Sequence, residues 1–338
     1  MSIEVTRADE RDLERWDRYV ERSAQGNLFH QRAALDIQAA HSGATLHHLI
    51  GKKGQEVVGL FPVFTLRKGP VKTAFSPPPE IRIPSLGPAM VTANELKQRK
   101  AERRGRRFVD GCLDWLDEHV NPRYLHVRTD DRFVDVRPFM WRGCTVTPQY
   151  TYRVDLTPGV DDVQMRFSSD ARRNVRTNGD GSEFHIEEGD VEDARRINEQ
   201  VRHRYESQDV GYFVPDTLVT DLYERLPDGQ VRPYVCRVEG EFVGGLLALE
   251  YGDTVYRWQG GVKTDADVNL SVNDLLDWRV MSDAIERGLS SYDLVGADNP
   301  RINRYKAKFG PELSVAHEIE RGSLGVDKMA HLYKRLRG

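Results

Sequence analysis

LHHLIGKKGQEVVGLFPVF, residues 46–64, and RPYVCRVEGEFVGGLLALE, residues 232–250, share one layout. Each runs from an apolar strand through a glycine-containing turn with an acid beside it, then through V-V-G or F-V-G-G into a second apolar strand. That pattern is a β-hairpin, with Gly51 and Gly54 supplying the first turn and Glu239-Gly240 the second. From Gly59 to Gly244 the period is 185 residues. This is too long for a solenoid repeat and suits a duplicated domain. The alternative is that any two hairpins look alike.

The flanking sequence repeats in the same order. Before the first hairpin, residues 8–24 place Leu13, Trp16, Tyr19 and Val20 on one helical face, and a second helix is predicted at 31–41. After it come a proline-rich connection (76–90), a long helix (94–119) and a strand (124–129). The second copy has a strand at 151–156, a helix at 162–179 closed by Gly179, and a short strand at 184–189. Helices at 191–208 and 216–226 precede its hairpin, and TVYRWQGG (254–261) adds a third strand to the meander. Ser271 and Asp274 read as a capping box for a helix over 272–287, and SYDLVG (291–296) as the next strand. The expected class is therefore α/β (α+β): two tandem units, 1–155 and 156–338, each a mostly antiparallel mixed sheet flanked by helices.

Composition agrees with this. A chain of 338 residues suits about two domains. With 39% hydrophobic and 30% charged residues, and 5 Trp, 12 Phe and 13 Tyr to fill cores, it is globular rather than disordered. The net charge of -4 gives no global basic field of the nucleic-acid-binding kind. No run of about 18 apolar residues crosses a membrane. The start, MSIEVTRADERDLERW, has no apolar signal core, so a cytoplasmic protein is expected. Cys112, Cys144 and Cys236 lie far apart, which argues against a disulfide framework or a structural zinc site.

Several short constellations could carry chemistry. Arg172 and Arg176 lie four apart on the 162–179 helix, with Arg173 between, and arginine suits bidentate recognition of phosphate or carboxylate; a solvated helix face is the plain alternative. Arg301, Arg304 and Lys308 share a face if their segment is helical, with Lys306 pointing elsewhere; in a strand or tight loop Lys306 and Lys308 share a side. Trp258-Gln259-Gly260-Gly261 either lets a ligand approach backbone or places a core tryptophan at a bulge. Asp293 and Asp298 flank Gly296 at a strand end, where a carboxylate could orient or deprotonate an amine, although Asp298-Asn299-Pro300 is also a routine turn. Arg103-Arg104-Gly105-Arg106-Arg107 is either a patch for phosphate or tRNA or a solvated basic face. The loop 262–274 holds no glycine and three acids, unlike a loop that cradles a CoA pyrophosphate. There is no HExxH or His-x-Cys cluster, no GxSxG elbow and no GxxxxGK[ST] or GxGxxG, so no metal, serine nucleophile or nucleotide cofactor is expected.

The order of elements resembles the GCN5-related N-acetyltransferase (GNAT) fold, and two such units in tandem look like the FemABX family, whose members move amino acids from aminoacyl-tRNA onto cell-wall precursor peptides. Arg172-Arg173-Asn174-Val175-Arg176 is similar to that family's basic helix, Asp293-Leu294-Val295-Gly296 to its D-L-G strand end, and Tyr305-Lys306-Ala307-Lys308-Phe309-Gly310 to its F-K-x-x-F-G segment, with Tyr in place of the first Phe. No insertion between 179 and 235 is large enough for the helical arm some members carry. A phosphate-contacting lysine of the first unit has only loose matches in Lys52, Lys53 and Lys68. The resemblance implies an acyl or aminoacyl transferase (EC 2.3 type) acting in a cleft near the junction of the two units. Lys306 would steady negative charge, and Asp293 with Tyr305 would position a group or relay a proton. Arg172, Arg173, Arg176, Trp258, Gln259, Lys308 and Phe309 would contact an anionic small-molecule or peptide substrate. The donor would be aminoacyl-tRNA or acyl-CoA, with no further cofactor. An acyl-CoA-dependent N-acyltransferase and a non-catalytic binding protein of the same fold are the alternatives.

Overall fold

The computed structural model describes residues 2–69, 71–91, 96–176, 184–261 and 270–322. The chain divides into two compact units: Met1–Gln149 together with the chain from Val315 onward, and Tyr150–Ser314. The first repeat runs β1 (Glu4–Arg7), α1 (Glu10–Glu14), α2 (Trp16–Glu21), α3 (Arg32–Ser42), β2 (Thr45–Lys53), β3 (Glu56–Lys68), β4 (Val71–Ser76), β5 (Ala89–Met90), α4 (Gln98–His119), β6 (Tyr124–Arg128), α5 (Arg137–Trp141) and β7 (Thr145–Asp155). After α6 (Val160–Met165) and α7 (Ser169–Arg176), the second repeat runs β8 (Phe184–Glu188), α8 (Val191–Glu206), α9 (Asp216–Arg225), β9 (Val231–Val238), β10 (Glu241–Tyr251), β11 (Thr254–Gly260), α10 (Val272–Glu286), β12 (Ser291–Asp293), α11 (Pro300–Lys306) and β13 (Glu312–Gly322).

The sheet of the first unit has the order β1-β2-β3-β4-β6-β13, with β5 beside β3, and that of the second β8-β9-β10-β11-β12-β7. Both are antiparallel except at one place, where the strand after the long helix returns parallel: β4 with β6 across α4, and β11 with β12 across α10. The same exception at the same point of both repeats is what a duplication would leave. The closing strands are exchanged. Strand β13, from the second repeat, pairs with β6, while β7, from the first, pairs with β12. The sequence reading put one boundary at residue 155; the units instead change at Tyr150, and the chain from Val315 rejoins the first.

Glycines in the repeated hairpins make room for helices. A Cβ on Gly59 would lie 2.6 Å from the Phe108 ring of α4, and one on its cross-strand partner Gly51 would lie 2.4 Å from the same ring. Phe108 is wholly buried there with Leu49, Val58, Leu113, Leu125 and Ile319. In the second unit a Cβ on Gly245 would meet Ile197 of α8 at 2.4 Å. There Tyr234, Leu246, Val255, Leu276, Tyr292 and Phe309 share one core.

Three local expectations are corrected. The helix expected over 162–179 is broken into α6 and α7, and Gly179 lies outside the described residues. Packing causes the break: Phe167 turns into the core, edge-on to Phe309 at 5.2 Å and Trp278 at 5.4 Å, and the Ser168 N–H donates to the Lys308 carbonyl at 2.7 Å. The helix expected over 8–24 is two short helices meeting at Arg15. Ser271 makes no side-chain cap on α10, and the Asp274 carboxylate that would complete the expected box is engaged by Asn174 and Lys308 instead. No helix among the described residues is long and apolar enough to cross a membrane.

Candidate functional site

The site lies in the second unit, where β12 ends and α11 begins. After Asp293 the chain leaves the sheet through Val295 at φ 50° and Gly296 at φ 86°. The left-handed region is a real departure for a β-branched residue and persists only when its surroundings hold it. Asp293 and Thr151 do so. The Asp293 carboxylate accepts from the Val295 N–H at 2.8 Å and the Thr151 hydroxyl at 2.5 Å, and pairs with Arg153 at 3.2 Å. Thr151 Oγ1 in turn accepts from the Gly296 N–H at 3.1 Å. The effect is to turn two successive carbonyls the same way.

Those carbonyls face Lys306. Helix α11 starts with Asn299, whose side chain accepts from the Arg301 N–H at 3.0 Å, and with Pro300 in its first turn. It passes into a short 3-10 turn, Ala307–Phe309, that stops at Gly310 in the left-handed conformation, where a Cβ would lie 2.6 Å from the Arg166 carbonyl. Lys306 closes the helix and is 7% exposed. Its Nζ donates to the carbonyls of Val295 and Gly296, both at 2.7 Å. An ammonium has three N–H groups, so one remains uncommitted among the described residues. Burial, followed by the nearby Arg257 guanidinium, brings the amine down to about 8, against the opposing pull of Asp277, Asp293 and Asp298.

Beside it is a charge hub. Asp277 of α10 is wholly buried and accepts from Arg257 Nε at 2.8 Å, the Tyr305 hydroxyl at 2.5 Å and the Tyr292 hydroxyl. Burial, with Asp277 next, pushes Tyr305 and Tyr292 well above the ordinary phenol range, so both stay protonated donors. Burial is the largest single influence on Arg257 and opposes its charge, but Asp277 together with Tyr305 and Tyr292 outweighs it and raises the guanidinium. The Tyr305 ring also meets Lys308 Nζ at 4.4 Å.

Residues 165–307 match a family model described as an acetyltransferase (GNAT) domain. The whole chain superposes on FemX with a TM-score of 0.73, over 99% of this chain and 100% of that one, at 14% sequence identity. The fold is a FemABX-like tandem GNAT fold. L-PGS from Bacillus licheniformis is similar over 98% of both chains, with a TM-score of 0.57 and 13% identity. A tandem GNAT protein from the clavulanic acid biosynthesis pathway is similar over 95% of this chain and 98% of its own, with a TM-score of 0.51 and 12% identity. No curated protein matches the sequence.

Within this GNAT unit the structure brings together only some of the residues singled out in the sequence. Lys306 and Asp293 converge on one turn, but Asp293 has its oxygens engaged by the turn, Thr151 and Arg153, which makes it a brace. The Tyr305 hydroxyl is committed to Asp277. Lys308 pairs with Asp274, and Phe309 is wholly buried in the core of this unit. Trp258 and Gln259 are buried; the register steps from Leu247↔Gln259 to Ala248↔Arg257, leaving Trp258 as the extra residue of a β-bulge. The space beside its glycines is taken: a Cβ on Gly261 would lie 1.7 Å from the Arg257 guanidinium, and one on Gly260 would lie 2.4 Å from the Gly245 carbonyl. Arg172 donates to the Met165 carbonyl at 3.0 Å and Arg176 to Gln164 at 3.0 Å, while Arg173 and Arg176 are exposed along α7. The acid-rich loop 262–274 lies mostly outside the described residues.

Sequence reasoning missed Asp277, Arg257 and Tyr292. Each sits in an apolar stretch that reads as core. The available signal was an acid at Asp277 between Leu276 and Trp278, on a helix face too apolar to solvate it. In the first unit, part of the basic run is also engaged: Arg104 is buried against Glu56 at 2.6 Å, and Lys52 pairs with Asp12 at 2.7 Å.

Proposed function

We propose that the second unit is an acyl or aminoacyl transferase that joins an activated carbonyl to a substrate amine. The observation that carries this reading is Lys306: a nearly buried ammonium, clamped by two carbonyls on a strained turn, with one N–H still to give. The amine nitrogen attacks the carbonyl carbon and forms the C–N bond. Negative charge gathers on the carbonyl oxygen, where the remaining Lys306 N–H would bind it. The C–O bond of a tRNA ester, or the C–S bond of a thioester, then breaks, and the proton lost by the amine ends on the leaving oxygen or sulfur. A preplaced donor of this kind is worth about 3–4 kcal/mol in the transition state. Asp293 and Tyr305 act as positioning residues: one fixes the carbonyl turn and the other ties α11 to Asp277. The exposed arginines of α7 suit an anionic small-molecule or peptide substrate. Donor and acceptor arrive activated and nucleophilic, so the step requires no cofactor chemistry.

The test offers the full-length protein an aminoacyl-tRNA or an acyl-CoA, each with a panel of amine-bearing acceptors, and follows product by mass spectrometry. Transfer is expected, and Lys306→Met should lower kcat by about 100- to 1,000-fold with little change in KM. Turnover with the thioester alone would move the reading to an acyl-CoA-dependent N-acyltransferase. Ligand binding without turnover, unchanged in Lys306→Met, would favour a non-catalytic binding protein.

A further inference from the structure

The first unit carries a side-chain cluster for which the transfer chemistry has no use. Strands β6 and β13 lie antiparallel, with Glu318 opposite Arg128 and Glu320 opposite His126. The alternation of the pleat sends Leu125, Val127 and Ile319 into the core. It gathers His126, Glu318 and Glu320 on the other face, where one ligand atom from each lies within 4.8 Å of the other two. All three are half-buried.

From this geometry we infer a binding site for one divalent transition ion of the Zn²⁺ or Mn²⁺ class, with His126, Glu318 and Glu320 as its ligands. One imidazole and two carboxylates form a mixed nitrogen and oxygen set, which suits these ions better than the thiolate-seeking metals. Two carboxylates on alternate residues of one strand, both half out of water, repel each other; a divalent ion between them removes that cost. His126 Nε2 donates to Glu318 Oε1 at 2.8 Å, so the imidazole nitrogen and the carboxylate oxygen already converge, and a divalent ion would take the place of the proton between them. Residues outside the triad aim it further. Gln149 Nε2 donates to Glu318 Oε2 at 3.2 Å, and the Tyr124 hydroxyl donates to Glu320. Ordered outer partners of this kind accompany metal ligands. Aromatic neighbours fix the imidazole plane: Tyr124 lies parallel to it, and Phe75 meets it edge-on at 6.3 Å.

Arg128 interacts with Glu318, and the two carboxylates of the set supply the negative charge a divalent ion would neutralise. Ligand atoms around a tetrahedral ion stand roughly 3.4 Å apart, given metal–ligand distances near 2.1 Å. The three ligand atoms lie within 4.8 Å of one another, and the His126–Glu318 pair stands at 2.8 Å, so the widest separation would close by at most about 1.4 Å while that pair opens by about 0.6 Å, shifts on the scale of side-chain rotation. The ligands come from positions almost 200 residues apart in the chain, which is why no spacing motif reveals them and why the sequence reading expected no metal.

The test uses the full-length chain, stripped with chelator and titrated by calorimetry with ZnCl₂ alone and MnCl₂ alone; dialysis and elemental analysis count bound ions. One ion per chain is expected for at least one metal, together with a rise in melting temperature on loading. His126→Ala and Glu318→Gln should each weaken binding by 100-fold or more, Tyr124→Phe by about 10-fold, and Glu312→Gln, on exposed strand, not at all. Glu320→Asp keeps the charge and the fold while drawing the ligand back, so its weakened binding separates ligation from unfolding. No saturable binding, or equal affinity in wild type and His126→Ala with both folded, would overturn the site. Neither result depends on whether the protein transfers acyl groups.

Discussion

Asp277→Asn is the most informative single change. It keeps the shape of a side chain that is wholly buried and removes the charge facing Arg257, whose own side chain is 11% exposed. Taking one member from such a buried pair costs about 3–5 kcal/mol, because the remaining charge stays desolvated without its partner. The Asn amide also presents a donor where Arg257, Tyr292 and Tyr305 all donate. Domains hold roughly 5–15 kcal/mol in total, so the loss is a large share. With a urea slope of about 2 kcal/mol/M, the midpoint of unfolding should fall by about 2 M. Tyr292→Phe and Tyr305→Phe each remove one donor and leave the charge pair, so each should cost about 2 kcal/mol. Tryptophan fluorescence reports the transition, since Trp258 and Trp278 belong to this unit.

The same variant should alter the pH dependence. Lys306 sits at about 8 in the native protein, below the ordinary lysine value of 10.5. Between those values the unfolded chain holds a proton that the native chain has released, so native stability rises with pH from about 8 to about 10.5. Asp277, Asp293 and Asp298 raise Lys306, while burial and Arg257 lower it. Removing the Asp277 charge therefore moves the start of that rise below pH 8, and Lys306→Met abolishes this group's share. Transfer activity that needs the ammonium should decline as pH climbs through about 8. An Asp277→Asn protein that loses less stability than Tyr305→Phe, with the rise still starting at pH 8, would refute the role of Asp277 as the hub.

Two other perturbations probe the fold. Gly59→Val drives its side chain into the Phe108 ring, 2.6 Å from the new Cβ, and should cost about 1–3 kcal/mol, read as a lower melting temperature and partly relieved by Phe108→Leu. A fragment ending at Asp155 lacks β13, the partner of β6, and should expose that strand's edge and self-associate in light scattering. A monomeric, cooperatively unfolding fragment would show that the exchanged strand is dispensable.

The sequence alone determined the repeat and most of its elements, because periodicity and turn glycines are local signals. The two hairpins at 46–64 and 232–250, the helix over 191–208 and the meander ending at Gly261 could all be read from spacing. It also drew attention to Lys306 through the segment around it. Tertiary structure decided what local signals cannot carry. The closing strands β7 and β13 change places, which no property of either strand announces, since both pair through backbone that every sequence has. Phe167 breaks a helix whose propensity was sound, because burying its ring outweighs a turn of α-helix. Asp277 acquires its meaning only when Arg257, Tyr292 and Tyr305 close around it, and His126 only when β13 brings two glutamates alongside. A buried charge is tolerable solely in company, and that company is assembled by folding from distant parts of the chain.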